Sequence, residues 1–254
     1  MKLRQLASFA VLFAGASGAS LWGQEGPIDT DRPGLLFTTT TVGAGTWQIE
    51  TGLPYLRDRT GAATARTESL LLVARYGLGP RWELRLGAAA SRFDAGGGAV
   101  TGWNDIELGA KVTLRDGQGA GPSVALIPAV SLPTGKDAFS AGDALASLNG
   151  VAAFPWGDGR ISKLLLGARG NLERGEFLDA TAAALAGHGL PWAGWSSYAE
   201  AGWTEPDRAS GAALIGAGVA YLVRDDLQLD ASFQHGVTDS ATDWRLELGV
   251  GARF

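Results

Sequence analysis

The stretch that decides the class of fold is WRLELGVGARF, residues 244–254. Apolar side chains occupy every second position from Trp244 to Phe254, whereas arginine, glutamate and glycine occupy the positions between them. Because successive side chains of a β-strand point to opposite faces, this alternation predicts a strand with one apolar and one charged face. An α-helix would mix the two sets on one side, so helical spacing does not fit.

The same alternation recurs along the chain. Clear windows lie at 47–55, 82–88, 105–114 and 227–234, and weaker ones near 64–76, 122–133, 146–155, 161–173, 178–187, 192–204 and 211–223. Together with 244–254 they predict about twelve strands, an even number as in single-chain bacterial barrels. Most span about ten to thirteen residues, which suits a tilted membrane crossing better than the shorter strands of a secreted sandwich. Aromatic residues at strand ends, such as Trp47 and Trp82, are typical of interfacial girdles. We therefore predict an all-β fold, a transmembrane antiparallel up-and-down β-barrel.

Composition excludes several classes of function. The chain has 254 residues, no cysteine, two histidines and a formal net charge of −5. The lack of cysteine rules out disulfides, thiolate zinc sites and thiol catalysis, and two histidines are too few for a multi-histidine metal centre. An acidic chain gives no electrostatic reason to expect nucleic acid as a partner. We expect no cofactor and no metal.

The N-terminus has the layout of a secretory signal peptide. Lys2 and Arg4 precede an apolar run at 6–13, and small residues follow. We assign 1–23 to the signal peptide, 24–44 to a periplasmic N-terminal segment that could plug the lumen, and 45–254 to the barrel. Export of a cysteine-free chain, which cannot be lipidated, indicates the outer membrane of a Gram-negative bacterium. Outer-membrane lipid is then a partner, and we expect a monomer.

Connection lengths predict an orientation. Tight turns at 77–80 and 224–226 suit the periplasmic side, where both termini would lie. The longer connections at 93–101, 134–145 and 205–210 would then face outward.

Several motifs occur in a definite order through the predicted mature chain. They are TDRP at 30–33, GTWQIE at 45–50, RYGL at 75–78, RWELR at 81–85, DIELGAK at 105–111, PTG at 133–135 and RF at 253–254. This ordered set resembles an outer-membrane barrel family named for the meta-pathway of phenol degradation. Members usually carry an acidic residue after the first proline, where this chain has Gly34. The resemblance implies a small outer-membrane barrel that moves aromatic or other hydrophobic molecules.

Charged residues on the polar parity of the strands are predicted to line the lumen. They are Glu50, Arg75, Glu83, Arg85, Asp105, Glu107, Lys111, Arg169, Glu200, Asp230, Arg245 and Glu247. Buried charges need partners, so we favour a salt-bridged network that stiffens the lumen, with a polar pathway as the alternative interpretation. Asp31 and Arg32 of the N-terminal segment could pair with such charges. Twelve strands lie between the filled eight-stranded barrel and the open porin, so a narrow or plugged lumen is expected.

The predicted function is passive transport of small molecules, hydrophobic or aromatic ones among them. Two alternatives stay open: a barrel enzyme acting on lipid, and a structural barrel with an occluded lumen. We predict no enzyme, because His188 and His235 fall at opposite ends of the predicted barrel and cannot share a catalytic triad. The terminal Phe254 resembles the signal read by the outer-membrane assembly machinery, which is therefore an expected partner.

Overall fold

The structure is a computed structural model that describes residues 26–60, 63–117, 121–156 and 163–254. Thirteen β-strands and one 3-10 helix, Asp137–Phe139, make up the regular structure of these residues. The strands are β1 (Trp47–Thr60), β2 (Ala63–Gly79), β3 (Trp82–Asp94), β4 (Val100–Trp103), β5 (Ile106–Asp116), β6 (Ser123–Leu132), β7 (Leu145–Pro155), β8 (Lys163–Glu173), β9 (Glu176–Gly189), β10 (Trp195–Pro206), β11 (Ala212–Arg224), β12 (Leu227–Gly236) and β13 (Trp244–Arg253). Within the described ranges, no helix has the length and apolarity needed to span a membrane.

The strands form an antiparallel up-and-down sheet that closes on itself. β1 pairs with β2 on one side and with β13 on the other, so the last strand meets the first. At this seam the amide of Phe254 donates to the carbonyl oxygen of Trp47 at 2.8 Å, and the amide of Trp47 donates back at 3.2 Å. Closure pairs the first strand with the last, and a closed sheet satisfies the backbone groups that an open edge would expose to hydrocarbon.

The short strand β4 and the longer β5 share one position in the barrel. β3 pairs with β4 where Ala90 faces Trp103, and with β5 where Gly87 faces Glu107. β4 and β5 are thus one strand interrupted at residues 104–105, and the barrel has twelve strand positions. The predicted twelve-stranded antiparallel barrel is confirmed.

The two ends of the barrel differ in their connections. We call the end where β1 begins and β13 ends the proximal end, and the opposite one the distal end. Proximal turns at 80–81 and 225–226 are short, and distal loops at 133–144 and 237–243 are longer. The distal turn at 174–175 is also short, so loop length separates the ends less cleanly than the sequence predicted.

The outer surface has an apolar belt with aromatic rings at its borders. Leu108 and Leu148 on this face are about half exposed, at 44% and 52%. Three aromatic pairs lie near the strand ends: Trp47 with Tyr76 and Trp195 with Tyr221 at the proximal end, and Tyr55 with Trp244 at the distal end. An apolar band between aromatic borders is the surface of a membrane barrel.

Residues 26–46 enter the lumen from the proximal end and fold there without regular secondary structure; we call them the plug. The amide of Ile28 donates to Asp225 O at 2.7 Å, and the amide of Gly45 donates to Gly77 O at 2.9 Å, so both ends of the plug are tied to proximal turns. The segment predicted at 24–44 occupies this place, apart from residues 24 and 25. Those two residues and the predicted signal peptide, 1–23, lie outside the described residues.

Candidate functional site: the plug and the lumen wall

Arg75 is the centre of a charged cluster on the inner wall formed by β1, β2, β3 and β5. Its side chain is fully buried. Nε and Nη2 donate to the two carboxylate oxygens of Glu83 at 2.8 and 2.9 Å, and Nη1 donates to Glu50 Oε1 at 2.8 Å. Such bidentate, charge-assisted hydrogen bonds are among the strongest in proteins.

Asp31 of the plug completes this cluster. Its Oδ2 accepts from Arg85 Nη1 at 2.5 Å, and its Oδ1 accepts from Lys111 Nζ at 2.7 Å and from the amide of Thr38 at 2.8 Å. Burial by itself raises the pKa of the Asp31 carboxyl, but Arg75, Lys111 and Arg85 together hold it well below its usual range. The carboxylate is therefore charged in the lumen.

The wall part of the cluster has a net charge of +1 without the plug. It holds three cations, Arg75, Arg85 and Lys111, and two carboxylates, Glu50 and Glu83. Asp31 raises the carboxylates to three and makes the cluster neutral. A buried charge left without its partner costs several kcal/mol, on the order of 3–5, so the wall requires this part of the plug.

The plug backbone satisfies further groups of the same wall. The carbonyl oxygen of Thr40 accepts from Arg75 Nη2 at 3.0 Å and from Lys111 Nζ at 3.1 Å. The amide of Val42 donates to Glu83 Oε2 at 3.0 Å. Side chain and main chain of the plug therefore bind one continuous polar surface, which we call the ion-paired sector.

A second, acidic sector lies on β10, β12 and β13. It presents Glu200, Asp230 and Glu247, with Arg245 hydrogen bonded to Glu247. Arg32 of the plug places Nη1 2.5 Å from Glu247 Oε1 and Nη2 3.3 Å from Asp230 Oδ1. Burial lowers the pKa of the Arg32 guanidinium, but Glu247 and Asp230 raise it above its usual value. Consecutive plug residues of opposite charge thus bind sectors of opposite charge.

Glycines make room for these contacts. Gly52 and Gly249 face each other across β1 and β13, and a Cβ at either one would overlap the Arg32 guanidinium. Gly34 has φ +116°, and a Cβ there would lie 2.9 Å from Glu200 Oε2. That oxygen accepts from the amide of Leu35 at 2.7 Å. An acidic side chain at position 34 would therefore meet a carboxylate at close range, which accounts for the glycine in this chain.

The third sector of the wall is apolar. It consists of Ala125, Ile127, Val151, Ala153, Leu165 and Leu185 on β6 to β9, all buried. Leu36 and Phe37 of the plug and Tyr198 of β10 pack against it. The Phe37 ring also lies under the Arg85 guanidinium, 4.9 Å from its centroid, so it joins the apolar sector to the ion-paired one.

A cavity of about 660 Å³ separates part of the plug from the wall. Leu36, Leu165, Leu185 and Tyr198 line it, together with polar groups of the plug. The ion pair between Lys163 Nζ and Asp29 Oδ2, at 3.3 Å, lies among its lining residues near the proximal end of β8. The cavity therefore follows the apolar sector, where the plug is bound by packing.

The remaining predicted lumen residues lie outside these clusters. Arg169 and Glu107 are 3.6 Å apart further toward the distal end, and each side chain is about 40% exposed. Asp105 differs from the other eleven predicted residues, because it lies in the break between β4 and β5. Its two carboxylate oxygens accept from the amides of Gly135 and Ala141, each at 2.9 Å. Slight burial raises the pKa of Asp105, but these amides hold it below its usual value. Asp105 fastens the loop at 133–144 to the break between β4 and β5.

Sequence reasoning missed the uncharged polar residues of the site. Gln48 donates to Glu50 Oε1 at 2.8 Å, and Thr113 Oγ1 donates to the carbonyl oxygen of Thr39 at 2.7 Å. Both have the inward parity of their charged neighbours, and that parity was the available signal. The threonine run at 38–41 was a second signal in the sequence, because four consecutive hydroxyl groups suit a segment that folds against charged walls.

The two histidines lie at opposite ends of the barrel. His188 is near the proximal end of β9, and His235 is near the distal end of β12, where its Nδ1 lies 2.8 Å from Asp243 O. They share no site. In the described part of the chain, no cluster of three or more acidic or histidine side chains is arranged to hold a metal ion.

Comparison with known structures finds outer-membrane barrels. The chain is similar to an outer membrane channel from Pseudomonas putida F1, with a TM-score of 0.72, 14% identity and coverage of 88% of this chain and 99% of that one. It is also similar to the translocator domain of the autotransporter NalP from Neisseria meningitidis (TM-score 0.55, 13% identity, 84% and 89% covered) and to the KdgM porin (0.54, 13%, 82% and 99%). At these identities the likeness is one of fold. No curated protein matches the chain.

A family match covers most of the plug together with the barrel. The family described as "Putative MetA-pathway of phenol degradation" matches residues 30–254. The match begins one residue before Asp31 and continues to Phe254, so it includes Asp31, Arg32 and every strand. The chain therefore belongs to this family, in agreement with the resemblance of its ordered motifs.

Proposed function

We propose that this protein is an outer-membrane barrel for the passive passage of small hydrophobic or aromatic molecules, with the plug as its constriction. The proximal end would face the periplasm and the distal end the exterior. The observation that carries the proposal is the unequal attachment of the plug. Two sectors bind it through buried ion pairs, and the third binds it through apolar packing beside a cavity of about 660 Å³.

The apolar sector suits an uncharged or aromatic solute. Barrel lumens are usually polar, whereas here six buried apolar side chains on β6 to β9 form part of the inner wall. A solute that follows this wall replaces apolar contacts of Leu36 and Phe37 with its own. It leaves the buried ion pairs of Asp31 and Arg32 intact, and breaking those would cost several kcal/mol, roughly 3–5 for each buried pair.

The cavity itself has the composition of a small-molecule site. Such sites are mostly apolar, with a few polar groups that fix orientation. Leu165, Leu185 and Tyr198 supply the apolar part, and Thr30 and Gln228 lie among the polar lining. Its volume falls within the range of about 300–1,000 Å³ found for ligand pockets.

Solute uptake into proteoliposomes tests the proposal. The solutes are an aromatic carboxylate and an aliphatic carboxylate of equal charge and similar size, with protein-free liposomes as the background. The double variant Asp31→Ala, Arg32→Ala removes the two plug charges that pair with the ion-paired and acidic sectors. The control, Arg174→Ala, Asp143→Ala, removes an ion pair of the distal rim, at the end of the barrel opposite to the proximal turn that holds the start of the plug.

We expect the parent to admit the aromatic solute faster than the aliphatic one. The plug variant, checked for a folded barrel, should admit both solutes faster than the parent, and the rim variant should match the parent. Uptake at the background level in both the parent and the plug variant would overturn the proposed channel function and favour a structural barrel with an occluded lumen. A slower rate in the plug variant would mean that the plug assists passage.

A further inference from the structure

Two arginines face each other on the outer surface of the barrel near its distal end. Arg57 of β1 lies directly opposite Arg66 of β2. On its other side Arg57 lies opposite Trp244 of β13, whose ring packs against Tyr55 at a centroid distance of 5.3 Å. Arg57 is two residues distal of Tyr55, so the arginine pair lies just beyond the aromatic border of the apolar belt.

This pairing is unfavourable without a ligand. Side chains directly opposite in an antiparallel pair have Cβ atoms about 4.5–5.5 Å apart, and like charges there destabilise the sheet. Within the described residues, neither arginine side chain forms an ion pair or a hydrogen bond. The Nε atom of Arg57 is also buried from solvent and has no hydrogen-bond partner among them.

The neighbouring charges are already engaged with one another. Arg59 binds Asp243 at 2.7 Å, and Arg92 binds Glu68 at 3.3 Å. Asp94 lies opposite Arg66 on β3, but its ion pair is with Arg92, at 3.7 Å. These pairs flank Arg57 and Arg66 and leave their guanidinium groups free for an external anion.

The position of the pair indicates the kind of anion. Aromatic side chains lie at the boundary between hydrocarbon and head groups, so a group just beyond them is level with lipid head groups. Guanidinium groups bind phosphate through paired hydrogen bonds and are less strongly hydrated than ammonium groups. We propose that Arg57 and Arg66 form an external site for the phosphate of a lipid head group in the leaflet on the distal side.

The site rests on the membrane placement in the proposed function and does not depend on solute passage. It lies on the outer face of β1 and β2, on the opposite side of the sheet from Glu50 and Arg75. Loss of the site should therefore leave solute uptake unchanged, and the two proposals can fail separately.

Lipid binding to the purified full-length protein in detergent tests the site, with native mass spectrometry as the readout. The probes are a lipid with a phosphate monoester head group, a zwitterionic phospholipid with the same acyl chains, and inorganic phosphate. The variant is Arg57→Gln, Arg66→Gln. The control is Arg81→Gln, Arg224→Gln, which removes two exposed arginines from the proximal rim.

We expect the phosphate monoester lipid to bind the Arg57→Gln, Arg66→Gln variant at least about tenfold more weakly than the parent, and the control variant to equal the parent. The zwitterionic lipid should bind all three proteins alike. Inorganic phosphate should compete poorly, because it lacks the acyl chains that pack on the apolar belt. If the double variant does not fold, Arg66→Gln alone changes an exposed residue and should still weaken lipid binding several-fold.

Equal lipid affinity of the parent and the folded arginine variant would overturn the proposal. Displacement of the lipid by inorganic phosphate at equal concentration would overturn it too, since the site would then recognise free phosphate. A protein that binds the lipid as expected but shows background uptake in liposomes would retain this site and lose the proposed function.

Discussion

The ion-paired and apolar sides of the lumen bind the same plug through different kinds of interaction. On one side Asp31 contacts Arg85 and Lys111 in a cluster whose charges balance only when the plug is present. On the other side Leu36 and Phe37 pack against apolar side chains of β6 to β9, and the ion pair there, between Asp29 and Lys163, is partly exposed. Buried charges specify one position because any displacement leaves partners unpaired, whereas apolar contacts exchange readily for those of a solute.

The two sectors should also control different properties, namely the stability of the folded protein and the passage of solutes. The ion-paired sector should determine how firmly the barrel and plug hold together, because its charges depend on one another. The apolar sector should determine which solutes pass, because it lines the cavity. Changes in the two sectors should therefore affect different measurements.

The largest expected effect is on stability and comes from the ion-paired side. Arg75→Met leaves Glu50 and Glu83 buried without their shared cation, which should lower the free energy of unfolding by about 3–5 kcal/mol. The control Arg81→Met removes a half-exposed rim cation and should cost less than about 1 kcal/mol. Denaturant unfolding in lipid bilayers measures both. Equal losses for the two variants would contradict the central role of Arg75.

A somewhat smaller loss of stability should come from a charge placed on the lipid-facing surface of β7. Leu148→Arg places a charge among lipid chains and should cost about 2–4 kcal/mol. Ser147→Arg, on the neighbouring residue of β7, places the same charge on the inner face and should cost less. The same unfolding assay compares them. If Ser147→Arg proves the more damaging, the assignment of the two faces of β7 is wrong.

Weakening the apolar contact between the plug and the wall should change which solute the barrel admits faster. Leu36→Ala removes plug atoms from the cavity wall and should cost only about 1–2 kcal/mol of stability, because the side chain is half-buried. Uptake of the aromatic carboxylate should rise more than uptake of the aliphatic one. Leu78→Ala, on the lipid-facing surface, is the control and should leave both rates unchanged. A rise in both solutes by the same factor would argue against a route along the apolar wall.

The smallest expected effect is that of moderate acid on the ion-paired side. The pKa of Asp31 is lower in the folded protein than in the unfolded chain, where it is about 3.9. Its contribution is therefore fully present above that value and is lost only as the pH falls through the lower folded pKa. Asp31→Asn, which lacks the charge, should show faster uptake than the parent at pH 7, and the ratio of the two rates should be the same at pH 5. A ratio that falls to one between pH 7 and pH 5 would contradict this assignment, because the parent would then have lost the Asp31 charge.

Much of the fold was predictable from local pattern. The alternation in 244–254 and in the other windows predicted the strands, their number and the parity of the charged set, and Arg75, Glu83 and Lys111 do lie buried on the inner face. Asp105 lies in the break between β4 and β5, and parity cannot reveal a break in a strand. The interruption at 104–105 depends on contacts with the loop at 133–144, which is distant in sequence.

By itself, the sequence determined that this chain is a closed barrel with charges inside and an N-terminal segment able to pair with them. That information is local, because side chains alternate with a period of two along any strand. Only the tertiary structure decided that Asp31 meets Lys111 while the adjacent Arg32 meets Asp230, 198 residues further along the chain. It also decided that the apolar side chains of β6 to β9 gather into one sector. Closure of the barrel brings distant strands to face one another across the lumen, and no local period encodes which of them will do so.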